Sequence, residues 1–113
     1  MSGDRRRHPR VSRQLRVEIG SLEVQTTNLS SGGMQIACPS LRFHAFQRLA
    51  AGGPVALCVR LPARPVPILA QAAVRYADPA DDEYLIGFEF VSFAADGEVR
   101  WASYIEALLG AIP

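Results

Sequence analysis

The sequence predicts an all-β fold: a mainly antiparallel β-barrel of about six strands, completed by one C-terminal α-helix. Three observations lead there. Short runs in which apolar and polar residues alternate recur along the chain, as in Leu15-Arg16-Val17-Glu18-Ile19, and a period of two marks a half-buried strand. Breaks rich in Gly, Pro, Asn and Asp separate these runs at hairpin distances. Only the last stretch changes to a helical period. With 113 residues the chain can bury one core and not two. The expected organisation is therefore a single domain over 1–113, with a flexible arginine-rich arm at 1–13, a barrel over 14–92 and a helix over 96–110.

Taken in order, Met1 to Arg13 shows no hydrophobic period, and Pro9 excludes a helix there. Leu15, Val17 and Ile19 form the inward face of a first strand. Gly20-Ser21 makes a hairpin turn, and Leu22 to Thr27 returns as the second strand. Asn28 to Gly33 connects it to a third, Met34 to Cys38. Pro39 to Pro54 reads either as a short helical turn or as a loop draped across the barrel, with Gly52-Gly53-Pro54 ending it. Val55 to Leu61 is a strand with Val55, Leu57, Val59 and Leu61 on one face. Pro62, Pro65 and Pro67 confine the next turn and suggest an exposed edge. Ile68 to Tyr76 follows, then an acidic loop over Asp78 to Asp82, then Glu83 to Val91 with Tyr84, Ile86, Phe88 and Phe90 on one face. Asp96-Gly97-Glu98 opens the helix, whose apolar stripe is Trp101, Ile105, Leu108, Leu109 and Ile112.

Charge is placed unevenly. The net charge is only +1, but Arg5, Arg6, Arg7, Arg10, Arg13 and Arg16 face just Asp4 and Glu18 in the first twenty residues. The N-terminus is thus an anion-seeking arm on a net acidic body. No window is apolar enough for a membrane span or a secretory leader, so a cytoplasmic protein is expected. Cys38 and Cys58 lie in apolar strand runs and read as buried free thiols.

Two motifs stand apart from this framework. Arg6 and Arg10 form an R-x-x-x-R pair, and Asn28, Ser30 and Gly33 form an N-x-S-x-x-G unit some twenty residues later. Guanidinium forks suit phosphate oxygens and the O6/N7 edge of guanine. The second unit supplies polar side chains at Asn28 and Ser30, with backbone at Gly32 and Gly33 free to take φ > 0 and to approach a ligand closely. In this order and at this separation the pair resembles the signature of the PilZ domain, the bacterial cyclic di-GMP receptor module. Gly87-Phe88-Glu89-Phe90 is similar to the Gly-x-x-Phe element that ends the barrel in that family.

The resemblance implies that Arg6 and Arg10 contact the phosphates and guanines of cyclic di-GMP, and that Asn28, Ser30 and Gly33 hold the other side of the ligand. Arg5, Arg7 and Gly32 are further candidate contacts. Asn28 stands where the family pattern allows Asp or Asn, and an amide lacks the bidentate acceptor of a carboxylate. No cofactor is implied besides the ligand. A lone barrel carries no output domain, so the implied partner is a downstream protein, contacted by a monomer or weak dimer. The alternative is a PilZ-like interaction module that binds a protein with weak or no nucleotide binding. A nucleic-acid-binding barrel would need exposed aromatics among basic residues, and the aromatics here alternate like core residues.

Catalytic and metal chemistry find no constellation. Ser30 has no histidine at a partner spacing, and Ser-Gly-Gly lacks the strand–turn–helix context of a nucleophile elbow. His44 has no second ligand at metal spacing. The acids of Asp78 to Asp82 lack the pattern of a calcium loop. The chain is read as a receptor rather than an enzyme.

Overall fold

A computed structural model describes residues 9–110. Arg5, Arg6 and Arg7 of the arm and Ile112 of the helical stripe lie outside the described residues. The elements are β1 (Val11–Ser12), β2 (Arg16–Ile19), β3 (Leu22–Ser30), β4 (Gly33–Pro39), α1 (Ser40–Ala50), β5 (Val55–Arg60), β6 (Ile68–Ala80), β7 (Glu83–Phe93) and α2 (Gly97–Gly110).

Strands β2 to β7 close into a six-stranded antiparallel barrel, in the ring order β2-β5-β6-β7-β4-β3 and back to β2. A simple meander would put β4 beside β5. Instead there are two sequential three-strand units, β2-β3-β4 and β5-β6-β7, joined through β2–β5 and β4–β7. Closure leaves the prolines at 62, 65 and 67 in the β5–β6 connection, because β5 is paired on both sides and offers no edge there. The residues facing inward are those that alternation selects: Val17, Ile19, Leu22, Val24, Met34, Ile36, Val55, Leu57, Val59, Ile68, Ile86 and Phe88 are all buried in one cluster.

Three elements differ from the sequence reading. Pro39 to Pro54 contains a regular helix of 11 residues, yet only Phe46 of that helix is buried. Phe46 meets Phe88 edge-on at 6.0 Å, and Phe43 stacks on Tyr84 with centroids 3.7 Å apart. Strand β6 runs through Asp78 and Pro79, which pair with Leu85 and Tyr84, so the acidic loop shrinks to Asp81-Asp82. Asp81 takes φ 57°, a left-handed position that aspartate tolerates. The arm is also shorter on its inner side, since Val11 and Ser12 pair with Leu29 and Asn28.

Helix α2 begins where expected and packs on β6 and β7, with Trp101 and Ile105 buried. Gly97 sits tightly against Ile68 and Phe93, where a Cβ would come within 3.3 Å of both. Arg100 reaches across to the carbonyls of Val66 and Pro67 and ties the helix to the β5–β6 connection.

Both cysteines are free thiols, but only Cys38 is buried; Cys58 is half-buried. Burial raises the thiol pKa of each above the ordinary 9.0, and Arg42 beside Cys38 and Arg60 beside Cys58 oppose the shift in part. A raised pKa means less thiolate at a given pH. Titration of the native protein with Ellman's reagent near neutral pH should therefore modify Cys58 first, more slowly than free cysteine. Cys38 should react only as the protein unfolds; fast reaction of Cys38 would contradict this packing.

Candidate functional site

The site is built on a slip in strand phase. Along β3 the inward residues are Leu22, Val24 and Thr26, and strict alternation would next bury Asn28. Pairing with β4 slips instead between Thr26 and Asn28, with Thr27 as the extra residue. Beyond this bulge Leu29 is the buried residue, and Asn28 and Ser30 face outward. A bulge commonly re-aims side chains beside a site, and this one moves both polar residues of the N-x-S-x-x-G unit out of the core.

A second bulge lies opposite. The β6–β7 register slips between Val74 and Tyr76, leaving Arg75 as the extra residue. Between the bulges the outward positions line up across four strands: Asn28 pairs with Gln35, Gln35 with Gly87, and Gly87 with Tyr76. The next row is Ser30, Gly33, Glu89 and Ala73. Gln35 knits the first row together. Its amide donates to Thr27 Oγ1 at 2.8 Å, and its carbonyl oxygen accepts from the Tyr76 hydroxyl at 2.5 Å.

The two central strands carry glycine at the middle of these rows, for steric reasons. A Cβ on Gly33 would lie 2.0 Å from the Phe88 carbonyl oxygen, and a Cβ on Gly87 would lie 2.1 Å from the Tyr76 ring. Neither Gly32 nor Gly33 uses the φ > 0 open to it; the described glycines with positive φ are Gly20 and Gly53. Gly33 is needed for close approach to β7 and not for a left-handed turn. Asn28, Ser30 and Gly33 lie within strands, and only Ser31-Gly32 forms the turn.

The basic arm enters this face through β1. Buried Thr26 holds its root: Thr26 Oγ1 accepts from the Leu15 amide at 2.7 Å and donates to the Arg13 carbonyl at 2.6 Å. With Val11 and Ser12 paired to Leu29 and Asn28, the chain delivers Arg10 to the rim, where its guanidinium donates to Asn28 Oδ1 at 3.3 Å. Arg10, Asn28, Ser30, Gly32 and Gly33 then line one cleft of about 210 Å³ together with Arg75, Tyr76, Gly87 and Glu89. Arg6, Arg5 and Arg7 lie outside the described residues, so the structure places one arginine of the R-x-x-x-R pair.

Sequence reasoning misses Arg75, Tyr76, Glu89 and Gln35 as site residues. They sit on three strands and share no motif, and only the cross-strand register gathers them. Arg75 and Glu89 form an ion pair, with side chains 62% and 56% exposed. An exposed pair of this kind contributes about 0–1 kcal/mol, so either partner can turn to a ligand at little cost. The rim is also tied to α2 and to β7. Trp101 Nε1 donates to the Ser30 carbonyl at 2.9 Å, and Phe90 N–H donates to the Gly32 carbonyl at 2.9 Å. Among the described residues no cluster of His, Cys, Asp and Glu could hold a metal, and no helix is long and apolar enough to cross a membrane.

The architecture is thus a closed six-stranded β-barrel with a C-terminal helix, bearing this polar face at the root of an arginine arm. The family model described as PilZ domain matches residues 4–107, and the chain belongs to that family. Among solved structures it is similar to the Bacillus subtilis inhibitor of motility (MotI/DgrA), at 25% identity and a TM-score of 0.66. The match covers 95% of this chain and 52% of that one, so this chain spans about half the length of that protein. A search of curated proteins found no match.

Replacing Thr26 by Val keeps shape and removes both hydrogen bonds, leaving the Leu15 amide and Arg13 carbonyl without that partner. The expected cost is about 1–3 kcal/mol. Hydrogen exchange should also be faster at the Leu15 amide, whose acceptor is lost. Unchanged stability and exchange would show that the arm root is held by something other than Thr26.

Proposed function

We propose that this chain is a receptor for cyclic di-GMP, and that binding alters its contact with a partner protein. The observation that carries the reading is the meeting of the two motifs: Arg10 of the arm hydrogen-bonds Asn28 across 18 residues of sequence, beside Ser30 and Gly33 in one cleft. The ligand offers what this arrangement takes. It has two phosphates and two guanines, and arginine can pair with the first and either pair with or stack on the second.

In this reading Arg6 and Arg10 reach over the ligand and contact phosphate and guanine, with Arg5 and Arg7 as further contacts from the arm. Asn28 and Ser30 hydrogen-bond the opposite side, and Gly32 and Gly33 let the ligand approach the backbone. Asn28 has a second role, because its carbonyl oxygen orients Arg10 while its amide hydrogens remain to donate. Stacking and bidentate guanine pairs contribute about 1–3 kcal/mol each. Ordering the arm opposes them by about 1–2 kcal/mol per residue. The expected affinity is on the order of micromolar, near −8 kcal/mol.

Signalling follows from position. The arm and the β3–β4 turn are the parts the ligand would engage, and the turn is bonded to α2 through Trp101. A ligand that orders the arm thus changes the surface around the barrel rim that a partner meets. The chain acts in this reading as a receptor without catalysis.

Isothermal titration with cyclic di-GMP, with GMP as control and Arg10→Ala as variant, tests the proposal. Saturable binding to wild type that GMP does not mimic is expected, weakened at least tenfold by Arg10→Ala, with a stoichiometry that separates one ligand from a stacked pair. Absence of heat and of a thermal shift at a few hundred micromolar, about −5 kcal/mol or weaker, would overturn it. The chain would then be a protein-interaction module on the same fold.

A further inference from the structure

We infer that Glu89 is the guanine-reading carboxylate of this cleft, and that Arg75 beside it addresses the neighbouring acceptor edge of the same base. The inference rests on the cyclic di-GMP reading and goes beyond it, since neither residue belongs to the two motifs.

The two motifs leave the cleft short of one group. A guanine presents, in order along one plane, the acceptors N7 and O6 and then the donors N1–H and N2–H₂. Reading it fully takes a fork of donors next to a bidentate acceptor. Asn28 cannot supply that acceptor, because it has one carbonyl oxygen and Arg10 already donates to it. Ser30 has a single hydroxyl, directed at the Gly33 carbonyl at 3.5 Å. Among the described residues lining the cleft, Glu89 is the sole carboxylate.

Its placement follows from register. Glu89 is paired with Gly33 on one side and Ala73 on the other. Neither neighbour carries a long side chain, so the carboxylate stands over open backbone between the Ser30 rim and the Arg75 bulge. The Arg75 guanidinium pairs with Glu89 through Nε and Nη2, and both contacts fall on Oε1. Both side chains are more than half exposed, so the pair opens readily. A base between them then meets a donor fork on one side and the full carboxylate on the other, which is the complement of guanine's O6/N7 followed by N1–H/N2–H₂. Adenine reverses the pattern at two of these places, with an N6 amine where guanine has O6 and a bare N1 where guanine has N1–H. It would set donor against Arg75 and acceptor against Glu89.

A carboxylate among arginines also opposes a phosphate-bearing ligand. That gives the competing account a clear signature: if Glu89 merely occupies Arg75, removing its charge tightens binding. The test measures affinities of the full chain and of Glu89→Gln and Arg75→Gln for cyclic di-GMP, its inosine analogue cyclic di-IMP, which lacks N2–H₂, and cyclic di-AMP. Wild type should lose on the order of tenfold from guanine to inosine, and more to adenine. Glu89→Gln should bind cyclic di-GMP about tenfold more weakly and no longer distinguish guanine from inosine. Arg75→Gln breaks the same ion pair but keeps the carboxylate, so it should weaken binding while preserving the inosine discrimination. If Glu89→Gln binds as tightly as wild type or tighter, or discriminates inosine as wild type does, the inference is wrong while the receptor reading stands. If wild type binds none of the three, the receptor reading itself fails.

Discussion

The site depends on one extra residue in β3. Thr27 slips the strand's phase by one position, and with it Leu29 enters the core while Asn28 and Ser30 face outward. Without the slip, an asparagine and a serine would point into an apolar barrel, where an unpaired amide is costly. The buried hydroxyl of Thr26 sits at the same place and does a second job, pinning Arg13 and Leu15. One short segment therefore sets both halves of the site: which residues of β3 are exposed, and where the arginine arm joins the barrel.

The remaining parts follow from closing the barrel. Pairing β4 with β7 rather than with β5 puts Gly33 beside Glu89 and Gln35 beside Gly87, so backbone lies at the centre of the face and polar side chains surround it. The bulge at Arg75 displaces β6 in the same sense and sets Tyr76 across Gly87. Trp101 then fastens the tip of β3 to α2 with a hydrogen bond from a side chain that is 1% exposed. The face, the arm and the helix are thus one connected structure, although their residues are far apart in sequence.

Much of this is legible in the residue pattern. Alternation identifies the inward faces of the strands, as with Tyr84, Ile86 and Phe88 against Leu85, Gly87 and Glu89. The two motifs mark Asn28, Ser30 and Arg10 by residue type and spacing alone. The bulge has a signal as well, since the apolar phase steps from Val24 and Thr26 to Leu29 instead of to position 28. Helix α1 is ambiguous in sequence because its apolar residues do not form a buried stripe; Leu41 is 98% exposed and Phe46 alone is buried. Asp78-Pro79 looks like a loop locally, and only pairing with Tyr84 and Leu85 makes it strand. The glycine roles at 33 and 87 are hidden for the same reason, because the atoms that exclude a side chain belong to other strands. Arg75 and Glu89 meet through register alone.

The central claim is that the ligand face is the outward surface of β3, β4, β7 and β6 between the two bulges. An amide chemical-shift titration with cyclic di-GMP tests it most directly. Large changes are predicted at Asn28, Gln35, Gly87, Tyr76 and the Trp101 indole N–H, with little change at Ala56 and Leu69 on the β5–β6 outer face. Changes centred on Ala56 and Leu69, or along α1, with the row from Asn28 to Tyr76 unmoved, would contradict it.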